Sequence, residues 1–415
     1  PRLPTSEGCY RAVCMRIQLP TGQSGFLGYC ANVHPGESLA DVHAAIRTYG
    51  SGVRQALGAG ELSLGLWLSR RSLNELEAMD TRGTSGTRAL VESLQAAGVC
   101  VVTLNGFPYG NFHEAVVKRK VYHPDLCSYE RRIYLSSLAR VLSELLPADA
   151  HEGTISTLPI GHRGEPRDDE RRSVEVSEAA AAQLCELCQE LATLADAHGK
   201  PIRICLEPEP GCWLESTADA LRFFTETLPR VARQRGVARA LYERHLGLCY
   251  DTCHQAICFE DPEASIAELT RAGVPIGKAQ LSSALEIARP SEPRALEELM
   301  RFQEPRFLHQ VRTRDHDGVL WAADDLDQLE GLPRDTPWRV HLPVPIHRAV
   351  VSDVATTRPF LERALQPLAA LSPAPHLEVE TYTWTVLPEA ERPQDEPALI
   401  SGLAREITFV RQALA

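Results

Sequence analysis

Eight short apolar runs alternate with helical stretches along the whole chain, and this alternation narrows the choice of folds more than any other feature. The runs read GFLGYCANV, ELSLGLWLS, VCVVTLNGFPYG, EGTISTLPIG, PIRICLEPEPG, LGLCYDTCH, GKAQLSSAL and HLEVETYTW. Most are nearly continuous in apolar residues, the pattern of a parallel sheet buried on both faces. Strand–helix alternation with right-handed crossovers leaves an open doubly wound sheet or a closed barrel. Eight units favour the barrel. An open sheet normally carries a glycine-rich phosphate loop after its first strand, and YCANVHPGE is not GxGxxG. The expected fold is α/β, a single (β/α)8 TIM barrel spanning residues 1–415.

Helix signals support the alternation. Pro35 and Ser38 mark the start of a helix through HPGESLADVHAAIRTYGSGVRQAL, and Gly98 closes one in SGTRALVESLQAAG. At 415 residues the chain exceeds the usual barrel of about 250, so insertions are expected. Residues 107–127 form a long loop after the third strand, and residues 161–176 are polar and expected to be flexible. The largest insertion lies between strands 7 and 8, at about residues 304–348. There RFLHQVRTRDHDGVLWAADDL reads as two short strands around His316-Asp317-Gly318, and WRVHLPVPIHR adds a further strand. No linker separates a second domain.

A formal net charge of -12 argues against a general nucleic-acid or anionic-membrane surface. No run reaches the apolar length of a membrane span, and the first twenty residues lack an apolar signal core, so a cytoplasmic location is expected and an integral membrane protein is not. Of the 12 cysteines, Cys30, Cys100, Cys205 and Cys249 fall inside apolar runs and are expected to be buried thiols. Cys185 and Cys188 form a CxxC within a helical stretch with no second CxxC, a weak zinc signal.

Four strand ends carry polar side chains: Glu207, Asp251, Gln280 and Glu380. In a barrel of this kind those ends converge on one mouth, where the chemistry is placed. Two Glu, one Asp and an amide in one cup repel unless a divalent cation sits between them. All four are therefore candidate metal ligands. Pro208 forces an extended exit after Glu207, while Glu209 reads as a solvated loop carboxylate. Glu378 and Glu380 share one parity facing the lumen, with Glu380 nearer the mouth. His254 lies one turn beyond Asp251 and is a candidate ligand or proton carrier. Candidate substrate contacts are Asn32 and His34 after the first strand, Asn105, Phe107 and Tyr109 after the third, and His341 on the insertion. An aromatic wall with amide and imidazole donors suits a polyhydroxylated ring. The run Lys118-Arg119-Lys120 could meet a phosphate, although such a run is usually solvated. His341 and His347 on the insertion are either lid residues over the site or surface histidines.

The order of strand-end Glu, Asp with a nearby His, an amide, and a final Glu resembles the xylose isomerase-like barrels of the sugar isomerase/epimerase superfamily. In ketose epimerases of that superfamily two Glu, one Asp and one His bind a divalent metal, and the two Glu move protons. The resemblance implies that Glu207, Asp251 and Glu380 are ligands, that Glu207 and Glu380 are catalytic, and that His254 helps bind substrate. The chain departs at Gln280, which stands where the family carries a histidine ligand. A carbonyl oxygen binds transition metals more weakly than imidazole, so Mn, Mg, Co, Zn and Fe all remain open. The segments YCANVHPGES, LNGFPYGNFH, VKRKVYHPDL, ISTLPIG, LEPEPGC and YDTCH are similar to the EboE family, metabolite-traffic barrel proteins of ebo operons, from about residue 26 to the end. That likeness implies processing or export of a secondary metabolite alongside operon-encoded membrane partners.

The leading expectation is a divalent-metal-dependent isomerase, epimerase or related lyase acting on a sugar, cyclitol or similar metabolite. Glu207 and Glu380 would flank the substrate carbon, one removing and one returning a proton. The alternatives are a metal-dependent hydrolase or multinuclear iron oxidase on the same barrel, and a non-catalytic carrier or scaffold for a membrane-associated biosynthetic complex. Zinc-dependent apurinic endonucleases share the barrel, but the -12 charge disfavours them.

Overall fold

The computed structural model describes residues 16–60, 62–81, 85–164 and 170–415. Eight parallel strands close into a barrel. In chain order they are Ser24–Cys30, Leu62–Trp67, Thr103–Asn105, Gly153–Thr157, Ile202–Leu206, Leu246–Asp251, Ile276–Leu281 and His376–Val379. Each pairs in parallel with the next, and the eighth returns to the first through Leu377 opposite Leu27. A short piece, Val99–Cys100, precedes the third strand, and Arg16–Gln18 pairs antiparallel on the first. The apolar runs are buried on both faces because side chains of one parity fill the lumen while the other parity packs against the helical ring.

Local sequence explains where the helices begin and end. Ser38 forms a capping box with Asp41, Ser128 caps Tyr129–Leu145, and Asp261 caps Pro262–Arg271. Gly98 closes Gly86–Ala97 with φ at 65°, a conformation that favours glycine. The helix expected from Ser38 onward contains a π turn at Ile46–Gly50 between Leu39–Ala45 and Ser51–Ala56. Of the polar stretch 161–176, residues 161–164 and 170–176 are described. A 29-residue helix, Glu170–His198, starts inside them, while 165–169 lie outside the described residues.

The insertion between the seventh and eighth strands is larger than the hairpin region its turn signals marked. It builds a six-stranded, fully antiparallel sheet in the order Leu320–Ala323, Val311–Arg314, Trp338–Val340, Leu285–Ile287, Val354–Thr356, Val350–Val351. The hairpin lies where His316-Asp317-Gly318 places it, with Gly318 at φ 84°. The strands at 285–287, 350–351 and 354–356 were missed because they are only two or three residues long. The sheet is tied to the barrel by Val344 N–H donating to Ser283 O and Thr357 N–H donating to Ala284 O.

Nine cysteines among the described residues are free thiols, including Cys30, Cys205 and Cys249. Cys100 departs from the free thiol expected there, being disulfide-bonded. Cys185 and Cys188 are buried helix residues, as their apolar setting implied. No helix among the described residues is long and apolar enough to cross a membrane.

Candidate functional site

Strand register sets the site. Asp251 lies opposite Gln280, and Gln280 lies opposite Glu378, so the sixth, seventh and eighth strands bring side chains to one level. Glu207 follows the fifth strand, anchored by its N–H to Thr157 O, and Glu380 follows the eighth, anchored by its N–H to Leu281 O. All four are buried. Asp251 also caps the helix Thr252–Ile257, so its Oδ1 accepts from His254 N–H at 2.9 Å and from Ser282 Oγ at 2.7 Å. Glu380 Oε1 accepts from Asn32 Nδ2 at 2.7 Å and Asn105 Nδ2 at 3.1 Å. These bonds fix one oxygen of each carboxylate and leave the other free.

The crowding shows in the acid–base behaviour. Burial, then the Glu380 and Asp251 carboxylates, push the Glu207 carboxyl well above the usual carboxylate range. Burial, then Asp251 and Glu378, push Glu380 up to about 8. Beneath them Lys278 Nζ lies 2.7 Å from Glu378 Oε2, both fully buried. Burial opposes the Lys278 charge, but Glu378 and neighbouring groups outweigh it and hold the lysine above its ordinary value. Glu378 occupies the space a side chain at position 65 would need, since a Cβ on Gly65 would lie 1.0 Å from Glu378 Oε1.

A divalent cation fits these residues. Glu207 Oε2 and both amide atoms of Gln280 are buried with no hydrogen-bond partner. An unpartnered buried polar atom typically costs about 1–3 kcal/mol, and a cation would satisfy the carboxylate and the amide carbonyl together. Glu207, Asp251 and His254 approach closely enough to form a three-ligand group. His254 Nδ1, however, sits 3.0 Å from Pro208 O, which only accepts, so that nitrogen carries a hydrogen and offers no lone pair. The carboxylate oxygens grouped with it are those of Glu207 and Asp251, and Gln280 lies beside Asp251 in the strand register.

Beside it lies a cavity whose lining includes Phe107, Phe112, Phe307 and Tyr382 together with Asn32, Asn105, Glu207 and Glu380. Among the expected substrate contacts, Asn32, Asn105, Phe107, His254 and His341 line it. His34 and Tyr109 do not. His34 stacks on Tyr49 at 3.9 Å between ring centroids and meets Tyr29 Oη at 3.1 Å, and Tyr109 packs on Tyr134. His341 reaches the site, 3.2 Å from His254, whereas half-buried His347 sits by the C-terminal helix with Ser401 and Arg405. The basic run is occupied by carboxylates of the insertion: Lys118 pairs with Asp325 and Arg119 with Asp324, which removes the phosphate reading.

Glu209 is the main correction. It is buried, not solvated, and its Oε1 accepts from Tyr122 Oη at 2.8 Å. Burial pushes its carboxyl up, opposed by His254 and Tyr122. Tyr122, Gln310, Lys278 and Tyr382 also belong to the site and were missed. Lys278 had a usable signal, sharing the parity of Gln280 on one strand.

No protein-family model and no curated protein matches the chain. Among solved structures it is similar to a xylose isomerase-like TIM barrel protein from Mycobacterium smegmatis in complex with magnesium, at 12% identity over 98% of each chain and a TM-score of 0.47. It is also similar to the IOLI protein with a zinc atom, at 12% identity over 94% of this chain and 99% of that one, TM-score 0.47. A third is a candidate sugar phosphate isomerase/epimerase from Anabaena variabilis, at 13% identity over 94% and 99%, TM-score 0.49. These likenesses concern the barrel; the chemistry is read from the side chains.

Proposed function

We propose that the protein is a divalent-metal-dependent isomerase or epimerase acting on a sugar, cyclitol or related polyhydroxylated metabolite, on a single barrel domain carrying the inserted sheet. The observation that carries this reading is the set of buried, unpartnered atoms, Glu207 Oε2 and the Gln280 amide, beside Asp251 and Glu380. These four residues hold the cation, and an oxygen-only set suits Mg or Mn best. A cation bound there supplies Lewis-acid polarisation of adjacent substrate hydroxyl and carbonyl oxygens. Glu207 and Glu380 are the proton carriers. Glu380 is oriented by Asn32 and Asn105. The aromatic residues lining the cavity take the apolar face of the ring, and its amides take the hydroxyls. Processing or export of a secondary metabolite with membrane-bound partners belongs to the same proposal and is supported by the segment likeness alone.

The test is elemental analysis of purified protein together with solvent-deuterium wash-in on a panel of ketoses and cyclitols. One divalent ion per chain and exchange at a carbon next to a carbonyl are expected. Absence of bound metal with no exchange on any substrate would leave a non-catalytic carrier as the better reading.

A further inference from the structure

Above the oxygen centre, two histidines from different parts of the fold face one another. His254 comes from the turn after the sixth barrel strand, and His341 from the inserted segment just after Trp338–Val340. Their Nε2 atoms are 3.2 Å apart, the rings are perpendicular, and both residues are buried.

Hydrogen-bond partners fix both tautomers. His254 Nδ1 lies 3.0 Å from Pro208 O, a carbonyl that can only accept, so Nδ1 carries the hydrogen. The partner of His341 Nδ1 is Gln310 Oε1 at 2.7 Å. The orientation of that amide follows from its other end. Gln310 Nε2 meets Pro210 O, again an acceptor, and also meets Tyr122 Oη, whose own hydrogen goes to Glu209 Oε1. The Gln310 oxygen therefore faces His341, and His341 Nδ1 carries a hydrogen as well. As neutral rings the two imidazoles turn lone pairs toward each other, an arrangement that repels unless a cation or a proton lies between them.

Glu209 completes the group. Its Oε1 lies 3.7 Å from His341 Nδ1, and Glu209, His254 and His341 each place a ligand atom within 4.8 Å of the others. With metal–nitrogen bonds of about 2.0–2.1 Å, two cis imidazoles stand about 2.9–3.4 Å apart, which includes the observed spacing. A ligating histidine usually donates its other N–H to a carbonyl or carboxylate, as both rings do here.

We propose that Glu209, His254 and His341 form a second metal site, separate from the oxygen centre, that takes an imidazole-preferring divalent cation such as zinc or ferrous iron. Two nitrogens and one carboxylate make a set found in catalytic zinc and non-haem iron centres, and they leave positions open toward the cavity. The site is assembled only when the inserted sheet is docked, because His341 and Gln310 both come from it.

Zinc(II) titration of chelator-treated full-length protein, with binding stoichiometry and cobalt(II) absorption as readouts, tests this. Wild type is expected to bind two equivalents, and His341→Ala and Asp251→Ala one each. Gln310→Leu, which releases the His341 tautomer while keeping all three ligands, is expected to weaken only the second equivalent, by about 10–100-fold. Circular dichroism checks that each variant is folded. One equivalent in wild type, lost in His341→Ala and kept in Asp251→Ala, would uphold this site while removing the oxygen centre. Folded His341→Ala and Gln310→Leu proteins that bind zinc as wild type does would overturn it. So would a wild type whose single equivalent is lost only with Asp251, since a proton would then be what lies between the rings.

Discussion

The barrel strands and the inserted sheet meet at one cavity and bring different chemistry to it. The strands supply buried oxygens on a frame whose positions follow from parallel register: Asp251 opposite Gln280, Gln280 opposite Glu378. The insertion supplies His341 and Gln310 from segments flanking short antiparallel strands, and it closes the mouth with Phe307. Barrel side chains are fixed by the fold itself; the insertion's groups depend on docking of a separate sheet through shared apolar core residues such as Val340 and Val344, hydrogen bonds, and ion pairs including Arg312–Glu215, Lys118–Asp325 and Arg119–Asp324. Changes in the strands should therefore abolish chemistry, and changes in the insertion should modulate it.

The largest expected effect is at the barrel. Glu380→Gln keeps the shape and one ligating oxygen but removes a basic carboxylate, so deuterium wash-in should fall by about 10²–10⁴-fold. Metal content measured alongside separates the two roles of the residue. Loss of exchange with metal retained marks a base, whereas loss tracking metal and restored by excess cation marks a ligand only. Wash-in at the wild-type rate would remove Glu380 from the chemistry.

Next is the lumen beneath the site. Lys278→Met leaves Glu378 buried without its partner, and breaking a buried pair in this way typically costs about 3–5 kcal/mol. The exposed pair Arg88–Glu92 is the control, with an expected loss of no more than about 0.5 kcal/mol from Arg88→Ala. Urea unfolding measures both, and equal losses would contradict the reading of Lys278 as the counter-charge of the acidic cup.

These two regions also differ in how far the sequence disclosed them. The barrel was legible because buried parallel strands are written as apolar runs, and strand-end polar residues stand out against them. The buried, strand-end placement of Glu207, Asp251, Gln280 and Glu380 is legible that way. Glu209 was misread because it lies two residues past a strand end, where a carboxylate is ordinarily solvated; only the tertiary approach of Tyr122 and Gln310 buries it. Tyr122 and Gln310 lie in irregular segments with no periodicity to mark them. His341 could be named as a candidate but not placed, because its position depends on an antiparallel register set between strands of two to four residues. His34 was over-read for a related reason: a histidine after a strand end looks the same in sequence whether it faces the mouth or stacks on Tyr49.

A smaller effect is expected where the oxygen centre is made to resemble the insertion's donor set. Gln280→His exchanges a weak carbonyl donor for imidazole at a fully buried position. Zinc affinity at the barrel centre should rise on the order of tenfold, about 1.4 kcal/mol, while magnesium affinity should fall. Competition titrations with the two ions check the sign. Unchanged affinities would show that the Gln280 amide serves substrate rather than metal.

The finest probe lies at the seam between the two regions. The buried Glu406 carboxyl accepts from Thr381 Oγ1 at 2.6 Å, Ile346 N–H at 3.0 Å and Trp384 Nε1 at 3.1 Å, joining the exit of the eighth barrel strand to the tail of the insertion. Burial pushes it up to about 7 from 4.5, against the lowering effect of those hydrogen bonds. The folded state thus keeps a proton that the unfolded chain has released between about pH 4.5 and 7. Its stabilising contribution is complete below about pH 4.5 and is lost as pH rises through about 7, with a slope of at most about 1.4 kcal/mol per unit. Glu406→Gln cannot ionise and should lack that slope. Unfolding free energies at pH 5 and pH 7.5 should therefore shift in favour of the variant at the higher pH. Parallel profiles for the two proteins would mean that Glu406 is charged in the fold, and that the seam is held by a carboxylate rather than by a neutral acid.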